Sequence, residues 1–150
     1  RLIWPRLMTP RCTTIRAIGA KPFASIGRRT SDMYRITKEF HFSASHQLMG
    51  LGDVHPCSRL HGHNYVVRVE LSAQQLDANG FVCDYRDLDD FKRYLDATVD
   101  HRHLNEVFDD DGTTAERLAK NFYDWCHKRW PQVSAVAVSE TPKTNAEYRP

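Results

Sequence analysis

The chain has 150 residues, of which 41% are hydrophobic and 27% charged, ordinary proportions for a globular protein long enough to bury one core. Its formal net charge of +2 is unevenly placed: residues 1–32 carry seven basic residues and one acid, leaving 14 basic and 18 acidic residues in 33–150. A mildly acidic body argues against a nucleic-acid-binding core, which needs a basic face. No apolar run is long enough to span a membrane.

Four scattered cysteines (Cys12, Cys57, Cys83 and Cys126) without a CxxC pair point to reduced thiols and a cytoplasmic setting rather than a disulfide framework. Residues 1–32 show no strand or helix period and are broken by Pro5, Pro10 and Pro22. They lack the continuous apolar region of a secretory signal. Their Arg-rich, acid-poor composition has something of an organellar transit peptide, but a disordered basic extension, or a start at Met33, is the favoured expectation. Residues 33–150 are expected to form a single domain.

From Tyr34 the chain alternates, with Ile36, Phe40, Phe42 and Ala44 on one face, only Lys38 interrupting, and His46 at the same parity. This is the pattern of a half-buried strand. A loop containing Gly50, Gly52 and Pro56 carries Cys57. A second strand is expected over about Leu60 to Ser72, with Tyr65, Val67, Val69 and Leu71 inward and His61 and His63 on that same face. A turn at Asp77–Gly80 follows.

Asp84 is expected to cap a helix whose stripe is Leu88, Phe91, Leu95 and Val99. Residues 100–105 read as a polar connector. Thr113-Thr-Ala-Glu116 has the form of a capping box opening a second helix, with Leu118, Phe122, Trp125 and Cys126 buried and Trp130-Pro131 ending it. A last strand over Val133–Thr141 puts Glu140 on the face of Val136 and Val138, and an edge strand near Tyr148 completes the pattern. The fold class is therefore α+β: a small antiparallel sheet with two helices packed on one face. So small a sheet leaves edges to be covered, and oligomerisation is one remedy.

His46, His61 and His63 share one parity and could bind one metal ion; three imidazoles with an open fourth position are the pattern of a catalytic zinc. Cys57 would be either a fourth ligand, closing a structural Cys-His₃ site, or a base or nucleophile favoured by a nearby metal. Asp100-His101 is either a proton-transfer pair or a charged helix end. Glu140, a carboxylate on a core-facing position, needs a partner: an internal Arg, or a ligand with two parallel N–H donors.

Taken together, Phe40-His-Phe-Ser-Ala-Ser-His46, Cys57-Ser-Arg-Leu-His-Gly-His63, Asp100-His101, Thr114 with Glu116, and Ser139-Glu-Thr141 resemble the 6-pyruvoyltetrahydropterin synthase and 6-carboxytetrahydropterin synthase family, of the tunnelling fold. The Cys-x₃-His-Gly-His spacing is similar to the carboxy branch, which serves queuosine biosynthesis. The resemblance implies zinc on His46, His61 and His63, and proton transfer by Cys57, Asp100 and His101. It also implies a pterin held by Glu140 with help from Thr114; the position where the pyruvoyl branch often has a second Thr is Ala115 here. The implied reaction converts 7,8-dihydroneopterin triphosphate to 6-carboxy-5,6,7,8-tetrahydropterin with loss of triphosphate and acetaldehyde. The pyruvoyl branch, which only eliminates triphosphate, is the enzymatic alternative. Homo-oligomers are implied too, trimeric rings stacked into hexamers that form a barrel, with sites at subunit interfaces.

Overall fold

The computed structural model describes residues 32–150; all but the last residue of the expected basic extension lies outside the described residues. Four strands, β1 (Tyr34–His46), β2 (His61–Ala73), β3 (Val133–Thr141) and β4 (Thr144–Tyr148), and three helices, α1 (Asp89–Thr98), α2 (Leu104–Phe108) and α3 (Ala115–His127), follow in the order ββαααββ. The strands form one antiparallel sheet in the order β1-β2-β3-β4.

β1 and β2 pair without interruption from Tyr34 opposite Ala73 to His46 opposite His61. Because strand side chains alternate, this register sends Phe40, Phe42, Ala44 and His46 to the same face as Tyr65, Val67, Val69 and Leu71. Those positions are buried, beneath Leu88, Phe91, Leu95 and Val99 of the α1 region and Leu118, Phe122 and Cys126 of α3. Phe91 meets Phe40 edge-on at 5.1 Å, Phe122 meets Phe42 edge-on at 5.9 Å, and Phe42 stacks on Tyr65 at 4.7 Å. Each such ring contributes about 1.5–3 kcal/mol through removal from water. The opposite face is polar, with Arg68 pairing with Glu39 at 2.7 Å.

Several local expectations shift. Asp84 accepts from the Arg86 N–H at 2.9 Å and so organises a turn ahead of the helix. α1 itself begins at Asp89, where Asp89 and Asp90 supply the acidic first turn favoured by the helix dipole. The connector after Asp100 contains α2, whose five residues are too few to display a helical period. The expected capping box is not formed: Thr114, not Thr113, is the N-cap of α3, its hydroxyl accepting from the Arg117 N–H at 3.4 Å, while the Thr114 N–H donates to the Gly112 oxygen. Cys57 and Cys126 are free thiols; the expectation for Cys12 lies outside the described residues.

Candidate metal centre and active site

His46, at the end of β1, and His61 and His63, at the start of β2, converge beyond the aromatic floor made by Phe42 and Tyr65. Their ring centroids lie 4.4 Å (His46–His61), 5.2 Å (His46–His63) and 5.1 Å (His61–His63) apart. One ligand nitrogen from each ring falls within 4.8 Å of the others. Register explains the convergence, since His46 is directly opposite His61 and Ala44 opposite His63.

Gly62 makes the approach possible. A Cβ there would stand 2.9 Å from the backbone oxygen of Ala44, closer than any side chain tolerates.

Two rings are locked in orientation by backbone carbonyls. His46 Nδ1 lies 2.8 Å from the Thr113 oxygen and His61 Nδ1 lies 2.7 Å from the Arg59 oxygen. A carbonyl only accepts, so each Nδ1 carries the hydrogen and each Nε2 keeps its lone pair. His46 Nε2 is buried and has no hydrogen-bond partner among the described residues, a costly state for a polar atom unless something else binds it. Burial pushes the His46 pKa below the ordinary imidazole range, with the nearby His61 and His63 adding to the effect. The Thr113 hydrogen bond and the charge of Glu140 oppose it. The neutral, ligating form is therefore favoured. An orphaned acceptor and fixed tautomers fit a metal ion bound by three imidazoles.

Glu140 Oε1 lies 4.0 Å from His46 Nε2. Tyr65, wholly buried, stands edge-on to His46 and His63 at 6.1 and 5.6 Å. Burial and then the charge of Glu140 push its hydroxyl pKa upward, so the floor of the site is uncharged.

Cys57 sits in a single helical turn, Pro56–Ser58, outside the three-histidine group. The turn is fastened to the end of β1 by the Leu48 N–H donating to the Cys57 oxygen (2.9 Å) and the Gln47 amide donating to the Ser58 oxygen (2.7 Å). Asn105 of α2 clamps the same place, accepting from the Gln47 N–H at 2.9 Å and donating to the Gln47 oxygen at 2.7 Å. The four ligands of a closed Cys-His₃ site are thus not gathered.

Asp100 and His101 lie along the outer edge of β1, the edge that does not face β2. Asp100 Oδ1 accepts from the Ser43 N–H at 2.8 Å, and its other oxygen lies 2.9 Å from His101 Nδ1. The Ser43 N–H, followed by His101, holds the Asp100 carboxyl below the usual carboxylate range. His101 has a left-handed φ of 56° and its side chain is 82% exposed. Among the described residues no hydrogen bond or ion pair joins this pair to Cys57. Thr114 follows Thr113, whose carbonyl holds His46, and so lies at the margin of the cluster.

A sequence profile of the family described as 6-pyruvoyl tetrahydropterin synthase matches residues 35–150. The chain belongs to this family. Among its relatives, the 6-carboxy-5,6,7,8-tetrahydropterin synthase of Bacillus subtilis is 32% identical over 129 residues, covering 78% of this chain and 86% of the relative. The enzyme of that name from Synechocystis is 33% identical over 125 residues, covering 77% and 93%. The solved structure of Caenorhabditis elegans 6-pyruvoyl tetrahydropterin synthase superposes with a TM-score of 0.70 at 27% identity, over 82% of this chain and 99% of that one. Family membership agrees with the expected tunnelling fold, seen here as one protomer's sheet and helices.

The cluster of three histidines with Glu140 beside it was readable from strand parity. The residues that fix it, Thr113 and Arg59, act through backbone oxygens and left no mark in the sequence. Asn105 was legible only as an amide in a polar connector.

Proposed function

We propose that residues 33–150 form a zinc-dependent synthase domain that converts 7,8-dihydroneopterin triphosphate to 6-carboxy-5,6,7,8-tetrahydropterin, releasing triphosphate and acetaldehyde. The observation that carries this is the convergence of three imidazoles, two with their Nδ1 hydrogens tied to backbone, on a point beside Glu140. The identity of the curated relatives and the Cys57-x₃-His61 spacing favour the carboxy reaction over the pyruvoyl one.

His46, His61 and His63 would hold the zinc ion, which when bound supplies Lewis-acid polarisation of a substrate oxygen. Glu140 accepts from the pterin 2-amino group and the adjacent ring N–H, two parallel donors matched to two carboxylate oxygens, and Thr114 assists at the rim. Cys57 takes a proton from the substrate side chain, and His101, oriented by Asp100, carries one to or from it.

Within one protomer the Asp100–His101 pair is held at Ser43 of β1, whereas the Cys57 turn is held at Gln47 and Leu48, beyond the end of that strand. Their cooperation is therefore assigned to neighbouring subunits of a trimer-based homo-oligomer, in which the Asp100–His101 edge of one chain faces the Cys57 loop of the next.

Incubation with dihydroneopterin triphosphate and identification of the products tests the proposal. Acetaldehyde together with a 6-carboxypterin is expected. A pyruvoyl product without acetaldehyde would assign the chain to the other branch, and no turnover by the metal-loaded protein would remove the proposal altogether.

A further inference from the structure

A second candidate binding site lies at the outer edge of β1, on the polar side of the sheet. A cleft of about 510 Å³ is lined there by Ser43, Ser45, Asn64, His101, Arg102 and His103, and it reaches Gly62 and His63. The segment that forms its outer wall is fixed by its backbone. The His101 N–H donates to the Ser43 oxygen at 2.6 Å and the Ser45 N–H donates to the Arg102 oxygen at 3.0 Å. With the main chain so engaged, three consecutive side chains capable of positive charge are delivered to one concave surface.

The remaining polar groups offer a mixture of donors and lone pairs. The Ser43 hydroxyl donates to Asn64 Oδ1 at 2.8 Å, which occupies the acceptor of that amide and leaves its NH₂ group to donate. His103 Nδ1 lies 3.2 Å from the Ser45 hydroxyl; in the tautomer where Nδ1 accepts from that hydroxyl, Nε2 carries the hydrogen and can donate. His101 is held through Nδ1 by Asp100 at 2.9 Å, so that nitrogen carries the hydrogen and Nε2 of the neutral ring is an acceptor. Among the described residues no carboxylate lines the cleft, although Asp100 stands directly behind Ser43 and His101. Among the described residues Arg102 forms no ion pair, although Arg102 and His103 also line a second hollow that contains Glu106. An arginine with no ion pair among the described residues, beside an amide NH₂ group and an imidazole able to donate, on one concave surface, can bind a multiply charged anion.

We propose that this cleft is an oligophosphate site, with Arg102 as its principal contact and His103 and Asn64 as supporting donors. Its chemistry suits either the triphosphate tail of a bound substrate or free inorganic triphosphate. Assignment to the tail rests on the function proposed above; binding of the inorganic anion does not.

The test is calorimetric titration of the full chain with inorganic triphosphate, alongside Arg102→Glu and His61→Ala, with folding of each checked by circular dichroism. Arg102→Glu is expected to weaken binding by about tenfold or more, the scale of one charge-assisted hydrogen bond. His61→Ala, which breaks the metal cluster but leaves the cleft, is expected to bind as the unaltered chain does. Unchanged binding by Arg102→Glu overturns the site. So does loss of binding in His61→Ala alone, which would put the anion on the metal.

Steady-state kinetics of Arg102→Ala separate the two sources. A raised KM for dihydroneopterin triphosphate with kcat little changed supports the tail. An unchanged KM despite weakened inorganic triphosphate binding overturns the tail assignment and leaves a site for the free anion. Triphosphate binding that depends on Arg102 in a chain that turns over no pterin would sink the proposed function while sustaining the cleft.

Discussion

The histidine cluster and the Asp100–His103 segment flank the same stretch of β1 but are restrained in opposite ways. In the cluster the side chains are fixed: two imidazoles are tied to the Thr113 and Arg59 carbonyls, and His46 is buried. Along the outer edge the backbone is fixed, through Ser43 and Ser45, while the His101 ring is 82% exposed. Fixed side chains suit a small ion whose ligand distances tolerate little error. Fixed backbone with exposed side chains suits a larger charged ligand or a neighbouring subunit, which the side chains can adjust to meet.

The sharpest way to break this contrast is His61→Ala. It should cost more than the ~10–100-fold in metal affinity that follows removal of an orienting partner, because a ligand itself is gone, while the outer edge stays as it is. Elemental analysis reads the first expectation and triphosphate titration the second. Stoichiometric metal in the variant would remove the cluster from the metal assignment.

Gly62→Ala should come next. The new methyl would press on the Ala44 oxygen, so the end of the β1–β2 ladder must open, at a cost of roughly 1–3 kcal/mol measurable by denaturant unfolding, with metal affinity falling too. Stability equal to the parent would show that the strands can part there freely. Glu140→Gln should leave fold and metal in place and raise KM by about tenfold, since the variant no longer offers a charged acceptor to the two donors. An unchanged KM would exclude Glu140 from substrate binding.

The smallest effect concerns Asp100. The Ser43 N–H and His101 hold its folded-state pKa below the unfolded one. Its stabilisation is therefore full above the ordinary carboxylate pKa and disappears as pH falls through the lowered value. The stability difference between the parent and Asp100→Asn should be level near neutrality and shrink in acid. A difference independent of pH would place the stabilisation elsewhere.

Much of the architecture was legible because strand parity is a strict rule. The alternation from Tyr34 to His46 and from His61 to Leu71 specified both faces of β1 and β2, and with them the three histidines. Glu140 followed from the same parity on β3.

Legibility failed where backbone rather than side chain does the holding. Thr113 and Thr114 both resemble caps, and only the geometry shows that the carbonyl of one holds His46 while the hydroxyl of the other caps α3. α2 was hidden by its shortness, five residues, although the side-chain amide of its Asn105 bonds to main-chain groups of Gln47. Arg102 and His103 were visible as a charged run but had no pattern to separate a cleft from a solvated connector.

Gly62 has a consequence for anyone moving such a site into another protein. The residue between the two histidines is dictated by the opposite strand, whose Ala44 oxygen occupies the space a methyl would need. Copying the two ligands onto a foreign hairpin would not reproduce the centre unless that hairpin also pinches to the same separation. Where it does not pinch, the glycine would be a needless weak point. The transferable unit is therefore the local strand spacing together with the histidines, and a library varying the middle residue and its cross-strand neighbour jointly would recover it more readily than one varying the ligands alone.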